Sequence, residues 1–197
     1  MQFLRGTANL MIDFMEEPPE LTSLIEMLLD YNMAVIRQWV EIGVDQFYFH
    51  GDIGTQKSLL FSPSIFQKLL KPAYREMFST CRNAGSHVWY SSDGHMIEIV
   101  DDLIDCGVTL HDPQLGPNSL EEIKRVYRNR LCALVDINSQ VVPFLSPAQI
   151  RQRLREVING MDAERGGLML YIIIDHDMPL DTIATLCSAV EEIWMET

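Results

Sequence analysis

The chain has 197 residues, 47% of them hydrophobic and 22% charged, with Lys+Arg 15 against Asp+Glu 28 and a formal net charge of -13. This apolar share fills a core at this length and excludes a disordered protein. The acidic balance, without a local run of Lys or Arg, excludes nucleic acid and anionic membrane as partners. The most apolar run, Leu168 to Ile174, is strand length and far below the roughly 20 residues of a spanning helix. Met1 to Leu10 lacks the apolar core and cleavage site of a secretory signal. Cys81, Cys106, Cys132 and Cys187 form no CxxC pair. The expectation is a cytoplasmic protein with buried free thiols.

A repeated unit organises the chain, in which a helical pattern ends in Gly and a short apolar strand follows. Leu21 to Ile42 carries apolar residues at helical spacing, then come Gly43 and a strand over Val44 to His50. Pro63 to Ala84 is the next helix, followed by Gly85 and a strand over His87 to Tyr90. Met96, Ile99, Val100, Leu103 and Ile104 form the apolar face of a short helix whose wet face is Glu98, Asp101, Asp102 and Asp105. Gly107 then precedes a strand over Val108 to Leu110. Helices over Leu120 to Tyr127 and Pro147 to Met161 lead to strands over Leu131 to Val135 and Leu168 to Ile174, and a last helix spans Leu180 to Trp194. Ser62-Pro63, Ser119 and Ser146-Pro147 start three of these helices.

Strands this apolar are covered on both faces, which is the mark of a parallel sheet in an α/β protein. An open doubly wound sheet and a (β/α)8 barrel both fit the alternation. No GxGxxG or P-loop fingerprint follows any strand, so a nucleotide fold has no support. The strand ends are instead polar: His50-Gly51-Asp52, Ser91 to His95, His111-Asp112-Pro113, Asp136-Ile137-Asn138 and Asp175-His176-Asp177. Barrel enzymes keep their chemistry at this edge, although Asp and Asn in these positions also cap the following helix. His111 and Asp112 are neighbours on a strand and point to opposite faces, so they do not form an acid-base pair without a bulge. Tyr90 and Tyr171 read as core, as do Trp39, Trp89 and Trp194; Met11, Met15, Met27, Met33 and Met77 read as gap-fillers.

The stretch YSSDGH (Tyr90 to His95), the strand closing on Asp112, LVDINSQ (Leu134 to Gln140) and IDHDMPLD (Ile174 to Asp181) together resemble the C-terminal part of the uroporphyrinogen decarboxylase superfamily. GDIGTQKSLLFSPSIFQKLLKP (Gly51 to Pro72) and FMEEPPELTSLIEMLLDY (Phe14 to Tyr31) are similar to its preceding segments. The resemblance implies a single-domain (β/α)8 TIM barrel of that type. It is incomplete here, with about five C-terminal strand-helix units against the roughly 250 residues of a whole barrel. Met1-Gln2-Phe3-Leu4-Arg5 then opens in mid-architecture.

The superfamily includes the decarboxylases of porphyrin and haem biosynthesis, which are lyases, and methyltransferases that pass methyl groups between corrinoid proteins and thiols. From the decarboxylases, Asp93-Gly94-His95 carries over as a loop-shaping turn and His176 as a pocket residue. A substrate with many carboxylates needs Arg around it. The edges here present Asp52, Asp93, Asp112, Asp136, Asp175 and Asp177, with Lys57 as the nearby base in sequence. The methyltransferase zinc ligands, a His-x-Cys pair and a later Cys, correspond to Ser91 and Asp93 and to Asp175 or His176. Both cysteines are absent. His50, Asp93, His111 and His176 make an alternative oxygen- and nitrogen-rich set for zinc or another divalent metal.

The expectation is a methyltransferase-like enzyme acting on a small molecule, its methyl transfer involving a corrinoid partner or a small methylated substrate, in a homo-oligomer or with a complementing half. Asp93 and His176 are its catalytic acid-base candidates; His50, Asp52, His95, Asp112 and Asp175 contact substrate. Two alternatives stay open: a uroporphyrinogen decarboxylase, and a catalytically silent half barrel that pairs with itself or with a complementing half.

Overall fold

The computed structural model describes residues 1–137, 141–161, 166–174 and 176–196. Helices α1 (Gln2–Arg5), α2 (Thr7–Glu16) and α3 (Pro19–Ile42) precede β1 (Gln46–His50). Then come α4 (Pro63–Ile65), a π-helical turn (Phe66–Leu70), α5 (Lys71–Asn83) and β2 (His87–Ser91). A 3-10 turn and α6 (Val100–Cys106) lead to β3 (Leu110–His111), and α7 (Leu120–Tyr127) to β4 (Cys132–Asp136). Finally α8 (Pro147–Met161), β5 (Leu168–Tyr171) and α9 (Leu180–Glu196) complete the described chain. The strands form one five-stranded sheet in the order β1-β2-β3-β4-β5, parallel throughout. Every crossover from one strand to its neighbour contains a helix, so this is the strand-helix arrangement of a (β/α) barrel segment.

Period-two alternation divides each strand between two environments. Phe47, Val88, Tyr90, Ala133 and Val135 turn toward the helices and join the main core with Phe66, Phe78, Ile123 and Tyr127. A second core holds Ile137, Val142, Ile150, Leu154, Met178, Leu186 and Ala189, between α8, α9 and the segments that follow β4 and β5. Helix α7 starts with a capping box, Ser119 accepting from the Glu122 N–H while the Glu122 carboxylate accepts from the Ser119 N–H.

The expected helix over Pro63 to Ala84 is interrupted. Pro72 has no N–H to give to the turn before it and its ring crowds that turn's carbonyl, and the π-helical turn immediately upstream widens the helix at this point. Asp102, expected on a wet face, is 8% exposed: Lys71 Nζ lies 2.6 Å from its Oδ1 and Gln67 Nε2 donates to its Oδ2 at 3.0 Å. β5 ends at Tyr171 rather than Ile174, and Met169, Ile173 and Ile174 are exposed. β5 and β1 are the edges of the described sheet, so the cover expected over both faces of the strands is missing there. Trp39 on α3 is exposed, as are Trp194, Met15, Met27 and Cys187, whereas Met33, Met77, Cys81 and Cys106 are buried as expected. No described helix is long and apolar enough to cross a membrane.

Candidate active site at the strand ends

The register places Tyr48 and His50 of β1, Trp89 and Ser91 of β2, Asp136 of β4 and Tyr171 of β5 on the sheet face opposite the helices. Asp112 joins them, one residue beyond β3 and two beyond the inward Leu110. Its neighbour His111 turns the other way into the helix layer, as alternation requires. There it is fully buried, 2.6 Å through Nδ1 from the Tyr127 hydroxyl and stacked on Tyr90.

At β1, the Tyr48 hydroxyl is 3.4 Å from His50 Nδ1, and His50 Nε2 is 3.4 Å from Asp52 Oδ1. The Asp93 backbone N–H reaches the same Asp52 oxygen at 3.5 Å. His50 thus stands between a phenol and a carboxylate, with both ring nitrogens addressed.

At β2 and β3, the Ser91 hydroxyl donates to Asp112 Oδ2 at 2.6 Å, while Oδ1 is buried without a hydrogen-bond partner among the described residues. Burial pushes the Asp112 carboxyl above its ordinary range, against the pull of the Ser91 hydroxyl and the Asp112 and Ser92 backbone N–H groups, with the Asp93 charge adding to the rise. Tyr171 is raised first by burial and then by Asp112, Asp136 and Asp93, so its hydroxyl keeps its proton. The field at this edge is acidic.

The loops that carry these groups are locked together. Gly94 has φ +87 and sits so close to the loop after β1 that an added Cβ would lie 2.5 Å from the Gly54 carbonyl carbon and 2.6 Å from Thr55 O. The Gly94 N–H donates to Gln114 Oε1, and Asn118 Nδ2 donates to Gly94 O, both at 2.9 Å. The Asp93-Gly94-His95 turn therefore shapes its loop as expected. The His95 backbone N–H donates to Thr55 O at 2.7 Å, and its ring Nδ1 is buried without a hydrogen-bond partner among the described residues.

The structure brings His50, Asp52, Asp93 and Asp112 to one edge, but it does not assemble the proposed metal set. Among the described residues no three His, Cys, Asp or Glu side chains group to hold a metal ion. His111 is turned into the helix layer, and His176 is exposed in the turn after β5. The residues described do not fit a resident zinc, and no step is assigned to one. Asp175 lies outside the described residues. Sequence reading missed Tyr48, although it is two residues before His50 and therefore on the same face, and it placed Tyr171 in the core.

A parallel strand-helix sheet with its polar edge at the strand C-termini is the architecture of part of a (β/α) barrel. The family model described as uroporphyrinogen decarboxylase (URO-D) matches residues 2–193, and the chain belongs to that family. Among solved structures, a methyltransferase from Methanosarcina mazei superposes with a TM-score of 0.62 at 21% identity, over 84% of this chain and 47% of that one. The chain thus spans about half the length of that structure. No functionally curated protein matches the sequence.

Proposed function

We propose that this chain is of the methyl-transferring kind within the family and takes a small methylated molecule against the edge formed by His50, Asp52, Asp93 and Asp112. The observation that supports this reading over decarboxylation of a porphyrinogen is the sign of the field. Burial and the neighbouring carboxylates all raise Tyr171, and the Asp93 charge raises Asp112 further. A substrate with many carboxylates would meet like charge here.

Methyl transfer breaks the bond between the methyl carbon and its O or N in the donor and forms one to the acceptor. The electron pair stays on the donor heteroatom, which needs a proton to leave as a neutral product. His50, between the Tyr48 hydroxyl and Asp52, is the group to supply that proton, and Asp52 balances the imidazolium formed when the ring is recharged. The corrinoid that the resemblance implies would serve as the methyl acceptor, from outside this chain.

The test is methylation of cob(I)alamin by a panel of methoxylated aromatics and methylated amines, followed by the absorbance of methylcobalamin. The reading expects turnover with one class of donor and a loss of about 100-fold in His50→Gln, the usual share of one general acid. Decarboxylation of uroporphyrinogen, with no methyl transfer, would overturn it.

A further inference from the structure

A cavity of about 350 Å³ lies on the helix side of β1, behind the strand-end edge. Close-packed interiors leave few voids larger than a water molecule, and this volume is that of a small-molecule pocket. Its walls come from elements distant in sequence, with Phe14 from α2, Leu29 from α3, Phe49 from β1, and Ala73 and Met77 from α5. Most of it lies on the helix side, because Phe49 and Tyr90 point into the helix layer while Tyr48 and Ser91 point away, but at the strand end it is bounded by His50, Gly51 and Asp52 and so abuts the acidic edge.

Gln2 and Asn32 contribute polar groups to the wall, and the Tyr74 and Tyr90 hydroxyls stand at its strand end. The Tyr90 hydroxyl donates to Gly51 O at 3.2 Å and lies 3.5 Å from the Tyr74 hydroxyl. Burial raises both phenols, so each keeps its proton. Asp52 stands at this end too, and neither Lys nor Arg is among the described lining residues.

We propose that this cavity is a second binding site, for an uncharged small molecule with a hydrocarbon body and one hydroxyl end that joins the Tyr74 and Tyr90 hydroxyls. A carboxylate end would be desolvated beside Asp52 with neither Lys nor Arg in the described wall to meet it.

The test uses this chain with ¹³C-labelled Met methyl groups, titrated with 1-hexanol and, separately, with hexanoate. Met11 and Met77 line the cavity, while Met169 and Met195 are exposed elsewhere. Hexanol is expected to shift Met11 and Met77 saturably and leave Met169 and Met195 in place, with hexanoate weaker by about tenfold or more, as 1.4 kcal/mol of charge penalty would give. Ala73→Phe and Leu28→Trp each fill the space and should abolish the shift in a chain whose circular dichroism is unchanged. A shift that persists in whichever of these variants folds, equal shifts at all four methyls, no saturable shift, or equal binding of hexanoate would each overturn the proposal. The readout is binding alone, so it is independent of methyl transfer.

Discussion

Ser91 Oγ and Asp112 Oδ2, from adjacent strands, lie 2.6 Å apart, and the other Asp112 oxygen is buried with no hydrogen-bond partner among the described residues. Only one oxygen of the carboxyl is thus engaged by a neighbouring side chain. Its raised pKa means that the folded state binds the proton more tightly than the unfolded chain does. This contribution to stability is present below the unfolded value and is lost as pH rises through the folded one. Asp112→Asn should therefore stabilise the protein at pH 7, by about 1 kcal/mol, while lowering turnover. Ser91→Ala should move the Asp112 carboxyl further up, read from its ¹³C chemical shift against pH. A downward move would contradict the pairing.

His111 has the opposite sign. Burial lowers its pKa from 6.5 to about 3, so the unfolded chain binds the proton first. Its contribution is fully present above pH 6.5 and is lost as pH falls from there toward 3. Urea denaturation between pH 7 and 4 should show a stability decline that shrinks in His111→Phe. Tyr127→Phe removes the partner of Nδ1 and should cost about 1–3 kcal/mol at pH 7, the penalty of a buried polar atom left unpaired.

Lys71 and Asp102 join α5 to α6 with side chains only 16% and 11% exposed. The hydrogen bond to Asp102 is the main cause of the raised Lys71 pKa. Asp102→Ala leaves the largely buried ammonium beside Asp105 alone and should cost about 3 kcal/mol, the low end for a broken buried pair because some water reaches both groups. The double variant Lys71→Met, Asp102→Leu should recover most of the loss in chemical denaturation. A double variant as unstable as Asp102→Ala would show that packing, not charge, was lost.

Gly94→Ala faces both a positive φ and the backbone of Gly54 and Thr55. It should cost more than about 2 kcal/mol and release the loop after β1. Hydrogen exchange of the His95 amide, bonded to Thr55 O, is the local reporter, and unchanged protection would contradict the interlock.

Helices α7 and α8 match their sequence expectations to the residue, since Ser caps and apolar spacing set their limits locally. The π-helical turn before Pro72, the burial of Asp102 and the exposure of Trp39 depend instead on what packs alongside, which periodicity does not carry. The strand-end edge was legible as a set of Asp and His residues. Which of them meet was not: it depends on strand parity and register, which sent His111 into the helix layer and brought Tyr48 beside His50 and Tyr171 among the carboxylates.

The most direct test of the acidic strand-end site is a fluorescence titration of this chain with uroporphyrin, the stable oxidised form of the decarboxylase substrate, at pH 7 and low salt. Repulsion from Asp52, Asp93, Asp112 and Asp136 predicts no saturable binding up to a roughly millimolar concentration, the level at which affinity falls to about 4 kcal/mol. Saturable micromolar binding that weakens in a variant of Ser91 or His50 would place a polycarboxylate on this edge and contradict the account.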